Sequence, residues 1–172
     1  YSSPARYTAR QELVRNDMKF EGIYTPVITP YKEDGSIDRN AFCVMVESLV
    51  SAGVQGVING GSTGEYYAQS MDERLELAKL AKDVIGKRTA LIIGTGSIRL
   101  PDSIRVAEYA AKIGADALLV GSPPYAVPTE RENALNALAI DRAADLPIML
   151  YNYPGRMGIN MGEEFLDRDA VN

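Results

Sequence analysis

The stretch GVINGGSTGE, residues 56–65, joins a short apolar run to a glycine-rich loop. Four residues such as GVIN can form a buried strand, and the glycine and hydroxyl residues that follow indicate a tight turn. The same arrangement recurs along the chain at intervals of 28 to 34 residues. The other apolar runs begin at Gly22, Thr89, Ala117 and Pro147. This repeat predicts strands that alternate with helices.

The segments between these runs have the spacing of amphipathic helices. Residues 38–52 place an apolar stripe on one face, and Gly53 follows at the predicted helix end. Two later helices are predicted to begin at capping boxes, in which a hydroxyl residue precedes a glutamate by three positions. These pairs are Ser70 with Glu73 and Thr129 with Glu132. The chain therefore reads as successive βα units.

Repeated βα units of this length predict right-handed crossovers and a parallel sheet. Two architectures are compatible with that pattern, a doubly wound sheet and part of a (β/α)8 barrel. A doubly wound sheet binds its ligand mainly at one switch point, whereas a barrel draws site residues from several strand ends. Distinctive loops follow four successive strands here, at Gly60, Gly94, Gly121 and Tyr151. This distribution favours the barrel, and because a whole barrel needs about 250 residues, the chain supplies its first five units.

Composition excludes several classes of function. The 172 residues include 18 Lys and Arg against 23 Asp and Glu, with no basic cluster, so binding to nucleic acid or to an anionic membrane has little support. No apolar run approaches the ~20 residues of a membrane span. Residues 1–20 are interpreted as a surface extension without the apolar core of a secretory signal, ahead of a barrel domain at 21–172. A single cysteine is consistent with the reducing cytoplasm.

The chain contains no histidine, which removes the commonest general base and transition-metal ligand. Catalysis would need Lys, Tyr, Ser, Thr or carboxylate groups. The loop GGSTGE lacks the lysine and spacing of a phosphate-binding P-loop, and GTGSIR lacks the third glycine of a dinucleotide motif. The hydroxyls of Ser62 and Thr63 are suited to a small anion such as a carboxylate, although an ordinary βα turn would have similar residues.

Three motifs in order, GSTGE at 61–65, the Pro-Pro-Tyr that ends at Tyr125 and YNYPGR at 151–156, resemble those of the dihydrodipicolinate synthase and N-acetylneuraminate lyase family. The resemblance extends from Phe20 to Asp167. It implies a (β/α)8 barrel, commonly a homotetramer, that binds pyruvate or another 2-oxo acid as a Schiff base without a metal or other cofactor.

Carried over to this sequence, the resemblance makes Tyr151 the phenol that moves protons to and from the Schiff-base intermediate. Ser62 and Tyr125 would complete the relay, with Tyr125 acting across a subunit interface. Thr63 would hold the pyruvate carboxylate, and Arg156 would hold the carboxylate of an acidic second substrate. A relay suits a phenol because its ordinary pKa near ~10 makes it a poor base until neighbouring hydroxyls assist.

The sequence departs from the synthases of that family at several positions. Met157 stands where a small hydroxyl residue is usual, and Ser62 stands where threonine is usual. Ile98, Pro124 and Met71 replace residues typical of lysine-inhibited synthases, so strong lysine feedback is not expected. The Schiff-base lysine of the family would lie at the end of a sixth strand, beyond Asn172, so the chain alone is expected to be inactive.

The resemblance favours one reaction and leaves others open. The favoured one is the condensation of pyruvate with aspartate semialdehyde on the route to lysine. The first alternative is an aldolase or dehydratase for 2-keto-3-deoxy sugar acids or N-acetylneuraminate. The second is a half-barrel that binds or assembles without catalysis.

Overall fold

A computed structural model describes residues 19–166 of the chain. Five strands alternate with four long helices, and two short helices follow the last strand. The strands are β1 (Tyr24–Pro26), β2 (Gly56–Asn59), β3 (Ala90–Gly94), β4 (Ala117–Gly121) and β5 (Ile148–Tyr151). The helices are α1 (Arg39–Ser51), α2 (Met71–Ile85), α3 (Leu100–Ile113), α4 (Glu130–Ala144), α5 (Pro154–Met157) and α6 (Glu163–Leu166). Most of the extension predicted at 1–20 lies outside the described residues.

The strand order decides between the two architectures. All five strands are parallel and lie in the order β1-β2-β3-β4-β5. A doubly wound sheet reverses its order at a switch point, and no reversal occurs among these five strands. Right-handed crossovers that all advance in one direction put every helix on the same face. The prediction of a barrel is confirmed, and the described residues form its first half.

The main core lies between the sheet and the long helices. It combines strand residues such as Val57, Leu91 and Leu118 with helix residues such as Phe42 and Leu77, all nearly inaccessible to water. The apolar stripe predicted for α1 packs here. Burial of each such side chain contributes roughly 1.5–3 kcal/mol, so this layer provides most of the stability of the fold.

The opposite face of the sheet becomes the barrel interior. Side chains alternate between the two faces of a strand, so Ile58, Ile92 and Ala117 point away from the helices and form a second cluster. Leu119 and Met149 pack against it. Inward-facing branched and apolar residues of this kind fill the interior of such barrels.

Local sequence signals set the helix ends. Asp38 caps α1 by accepting a hydrogen bond from the Ala41 amide at 3.0 Å. Both predicted capping boxes are confirmed, at Ser70 before α2 and at Thr129 before α4. Each cap satisfies amide groups that the first turn leaves unpaired, so the two helices begin at fixed residues.

Strand β1, Tyr24–Pro26, covers only part of the apolar run that begins at Gly22. After Pro26 only one further ladder bond forms, from the Val27 amide to the Ile58 carbonyl at 3.0 Å. Strand β2 then ends because Gly60 adopts a left-handed conformation with φ of 75°. Beyond that point β1 has no neighbouring strand to pair with in the described part of the chain, so it ends early.

Among residues 19–166, no helix combines the length and apolar character needed to cross a bilayer.

Candidate active site

A cavity of about 240 Å³ opens on the inner face of the sheet, at the carboxyl ends of the strands. It is lined by residues from all five strands or the segments that follow them. They include Ser62, Thr63, Tyr66, Gly96, Ser122, Tyr151 and Met157. Barrel enzymes have their active sites at this end of the strands.

Two predicted site residues, Ser62 and Thr63, begin a single 3₁₀ turn after β2. The loop that contains this turn packs closely on the end of β3, because Gly94 lies against the backbone of Gly60 and Gly61. A side chain on Gly94 would overlap the Gly60 carbonyl oxygen. The glycines of GGSTGE and GTGS thus allow the two loops to pack backbone against backbone.

A buried hydrogen-bond network holds the other end of this turn. The Thr29 hydroxyl donates to the Gly64 carbonyl at 2.8 Å, and the Gln69 amide donates to both oxygens, at 3.0 and 2.8 Å. Satisfied buried polar groups of this kind are costly to break. The network ties the end of this turn to the segment that follows β1.

Tyr151 is the last residue of β5 and lines the cavity, and its role in proton transfer stays a prediction. Strand alternation places it on the same face as Met149. Its ring meets that of Tyr153 edge to face, with 6.1 Å between the centroids. Met157 is buried and also lines the cavity, so this departure from the synthase pattern lies in the site itself.

Tyr125 does not line the cavity of its own chain. Its side chain is 92% exposed, and its φ of 70° is rare for a residue other than glycine. Val127, two residues later, also has a positive φ and is exposed. The role expected for Tyr125 at a neighbouring subunit stays a prediction.

Arg156 lies outside the cavity, on the exposed helix α5. Its guanidinium carbon is 5.5 Å from the centroid of the Tyr153 ring, a cation–π arrangement. The loop behind it is closed by Asn152, which donates to the Asn160 side chain at 2.9 Å and accepts from the Met161 amide at 3.1 Å. The expected binding of a substrate carboxylate by Arg156 stays a prediction.

None of the six lysines of the chain lines this cavity, and all six lie within the described residues. Lys82 and Lys87 contact a separate cavity of about 470 Å³ together with Thr89 and Asp116. Thr89 immediately precedes β3 and Asp116 immediately precedes β4, so this cavity is at the amino ends of the strands. That the Schiff-base lysine lies outside this chain stays a prediction.

Sequence reasoning missed Tyr66 and Arg74. Tyr66 lines the cavity, and Arg74 is buried behind it, with its guanidinium carbon 5.2 Å from the ring centroid. Burial lowers the pKa of Arg74, while the Tyr66 phenol and Asp102 oppose the change. A signal was present, because Arg74 precedes Leu77 and Ala78 by three and four positions and so lies on the apolar face of α2.

Ser122 and Asn133 form a second buried polar pair beside the cavity. The Asn133 amide donates to the Ser122 hydroxyl oxygen at 2.6 Å, and both side chains are almost fully buried. The Asn133 side-chain oxygen has no hydrogen-bond partner among residues 19–166. A hydroxyl that accepts from Asn133 keeps its own proton for another acceptor.

Comparisons with known proteins agree with this geometry. The model of the dihydrodipicolinate synthetase family matches residues 19–170. A 4-hydroxy-tetrahydrodipicolinate synthase of Chelativorans sp. (strain BNC1) is 39% identical over 152 residues, which are 88% of this chain and 52% of that protein.

Solved structures show the same relationship. A dihydrodipicolinate synthase from Bacillus anthracis superposes with a TM-score of 0.82 at 31% identity, covering 87% of this chain and 51% of that one. A chloride-inhibited dihydrodipicolinate synthase from Acinetobacter baumannii, complexed with pyruvate, gives 0.81 at 32% identity, with 86% and 50% covered. The chain thus spans about half the length of the relatives it matches.

Proposed function

Because this chain belongs to the dihydrodipicolinate synthetase family, we propose that it is the amino-terminal half of a Schiff-base-forming enzyme that condenses pyruvate with aspartate semialdehyde. That reaction is the 4-hydroxy-tetrahydrodipicolinate synthase step of lysine biosynthesis. The observation that carries the proposal is the cavity at the carboxyl ends of the strands, where Ser62, Thr63 and Tyr151 lie together. The A. baumannii relative complexed with pyruvate supports a small 2-oxo acid as the first substrate.

In the proposed reaction a lysine amine attacks the ketone carbon of pyruvate, and water leaves as the iminium forms. The lysine is expected in the half of the protein that follows Asn172, since no lysine of this chain lines the cavity. Without that amine no iminium can form, so the 172-residue chain is expected to be inactive.

The residues of this chain would bind substrate and move protons. Loss of a methyl proton from the iminium gives the carbon nucleophile that adds to the aldehyde. Tyr151 is proposed to carry protons at these steps, with the Ser62 hydroxyl as its neighbour in the relay. Thr63 is proposed to bind the pyruvate carboxylate, because this residue lines the same cavity.

Assembly is part of the proposal. Tyr125 is too exposed to act in its own cavity, which supports the role expected for it in a neighbouring subunit of a homotetramer. Ile98 and Val127 are exposed apolar residues in the segments after β3 and β4, and contact with another subunit would cover them. We place the protein in the cytoplasm, where pyruvate is available.

A second reaction is favoured by the position of Met157. This side chain lines the cavity, whereas Arg156 lies outside it, so the groups nearest the second substrate differ from those expected of a synthase. An aldolase or dehydratase for 2-keto-3-deoxy sugar acids, or a lyase for N-acetylneuraminate, is the alternative.

Steady-state kinetics of the full-length protein distinguish these reactions. The protein is supplied with pyruvate and aspartate semialdehyde in one assay and with a 2-keto-3-deoxy sugar acid or N-acetylneuraminate in another. The synthase proposal predicts pyruvate-dependent consumption of the semialdehyde and slower turnover of the sugar acids. Cleavage of a sugar acid without semialdehyde turnover would replace it with the alternative. No turnover in either assay would favour a binding module.

A further inference from the structure

A second phenol, Tyr66, faces the cavity that contains Tyr151. Tyr66 begins the short 3₁₀ turn Tyr66–Ala68, and only 9% of it is exposed. Both tyrosines line the cavity, and they lie close enough to interact electrostatically. The turn that contains Ser62 and Thr63 is followed at once by the turn that begins at Tyr66, so the three side chains lie on one short segment after β2.

The position of the Tyr66 ring is fixed from two sides. The Arg74 guanidinium lies over the ring and donates from Nη2 to the Gly94 carbonyl at 3.2 Å, which links the ring to the end of β3. The hydroxyl end lies against Gly96, where an added Cβ would be 2.7 Å from the ring carbon Cζ and 2.8 Å from Oη. Any side chain at position 96 would therefore displace the phenol.

The Tyr66 hydroxyl has no hydrogen-bond partner among residues 19–166. Buried tyrosine hydroxyls usually have one, so this group is available to a molecule in the cavity. Burial raises the pKa of Tyr66, although the cationic Arg74 opposes the change. The phenol accordingly stays protonated at neutral pH and acts as a hydrogen-bond donor.

We infer that Tyr66 is a further catalytic residue, whose hydroxyl donates a hydrogen bond to an oxygen atom of the 2-oxo acid bound opposite Tyr151. This inference rests on the proposed function, because it assigns a role within the same reaction. No covalent step is added. The donor stabilises negative charge on the substrate oxygen while Tyr151 moves the proton, and Arg74 and Gly96 act as positioning residues for it.

The test replaces Tyr66 with phenylalanine in the full-length protein. Tyr66→Phe keeps the ring, its packing and the contact with Arg74, and it removes only the donor. We expect kcat/KM for pyruvate to fall about ten- to a hundredfold while the thermal midpoint stays within the error of the wild type. Tyr67→Phe is the matched control, because Tyr67 is adjacent and 68% exposed, and it should react like the wild type.

A second variant covers the case in which Tyr66→Phe fails to fold. Gly96→Ala retains the hydroxyl but displaces it, and the φ of Gly96 is not in the left-handed range, so the backbone accepts alanine. It should also lower kcat/KM by at least tenfold.

The outcomes separate this inference from the function on which it rests. If the wild type neither forms a pyruvate adduct nor turns over substrate, the proposed function is wrong, and the role of Tyr66 in that reaction is wrong as well. If the wild type turns over and Tyr66→Phe retains kcat/KM within twofold, only the role of Tyr66 is wrong. The same holds for Gly96→Ala if Tyr66→Phe does not fold. A loss equal to that of Tyr67→Phe would also overturn it.

Discussion

Gly94→Ala tests whether the site depends on the close packing of two loops. The added Cβ would overlap the Gly60 carbonyl oxygen and would lie 3.1 Å from the Gly61 amide nitrogen. Both contacts are with backbone, so no side-chain rotation relieves them. Because non-bonded carbon contacts are favourable only near 3.5–4.0 Å, the loop that holds Ser62 and Thr63 must move by on the order of 1 Å.

Two magnitudes follow from that displacement. Overpacking of this kind destabilises a protein by about 1–3 kcal/mol. A misplacement of roughly 1 Å at a reacting group can lower the rate about a hundredfold. We therefore expect kcat/KM of the full-length protein to fall by about two orders of magnitude, with a measurable decrease in the free energy of unfolding.

The assay measures kcat/KM and the midpoint of denaturation of Gly94→Ala and of Gly61→Ala, prepared in parallel with the wild type. Gly61 is in the neighbouring loop, but a Cβ there would meet only side-chain atoms of Ile58 and Leu119, at 3.8 and 4.0 Å. That control should be nearly as stable as the wild type. If Gly94→Ala has the wild-type rate and midpoint of denaturation, the two loops are not in contact and the account of their glycines is wrong.

Three further predictions concern single side chains of the full-length protein. Tyr151→Phe removes the proposed proton carrier and should lower kcat by ~10² to 10⁴ with little change in pyruvate affinity; an unaltered kcat would make Tyr151 a packing residue. Arg156→Ala should lower kcat/KM for aspartate semialdehyde about ten- to a hundredfold and leave pyruvate unaffected, and an equal loss for both substrates would contradict its assignment. The Arg88 hydrogen bonds lower the pKa of Glu47 to about 2, so the stabilisation is complete above pH 4.5 and is lost as the pH falls toward 2. The difference in thermal midpoint between the wild type and Glu47→Gln should shrink over that range, and a difference independent of pH would refute the assignment.

The fold could be predicted from the sequence because its signals are local and repeated. The apolar runs, the helix at Asp38 and both capping boxes depend on residues within a few positions of one another. The strand order could be inferred as well. Distinctive loops after four successive strands favour a barrel, and in a barrel each strand lies beside the next one along the chain. The early end of β1 could not, because it depends on the conformation of Gly60, which follows the neighbouring strand β2.

Part of the cavity lining could be predicted for the same reason. Ser62, Thr63 and Tyr151 lie at strand ends, and parallel strands bring their ends together. Tyr66 and Arg74 were missed because their role depends on contacts with Gly96 and Gly94 across two loops. An arginine at an apolar position of α2 was the available signal, but its partner could not be read from spacing.

The partner of Asn133 could not be predicted either. Its position in α4 gives no indication that it donates to Ser122, eleven residues earlier and beyond a loop. Such pairs depend on how the chain returns to the sheet after each strand. Sequence patterns describe the strands and helices better than they describe these return paths.

Trapping the Schiff base with pyruvate and borohydride shows whether the full-length protein forms the proposed iminium and which lysine carries it. The full-length protein and the 172-residue chain are treated in parallel, and their intact masses are measured before the adduct is located by peptide mapping. The account predicts one reduced pyruvate adduct on the full-length protein, at a lysine beyond Asn172, and none on the short chain. Stoichiometric labelling of any of the six lysines in the short chain, or no labelling of the full-length protein, would contradict it.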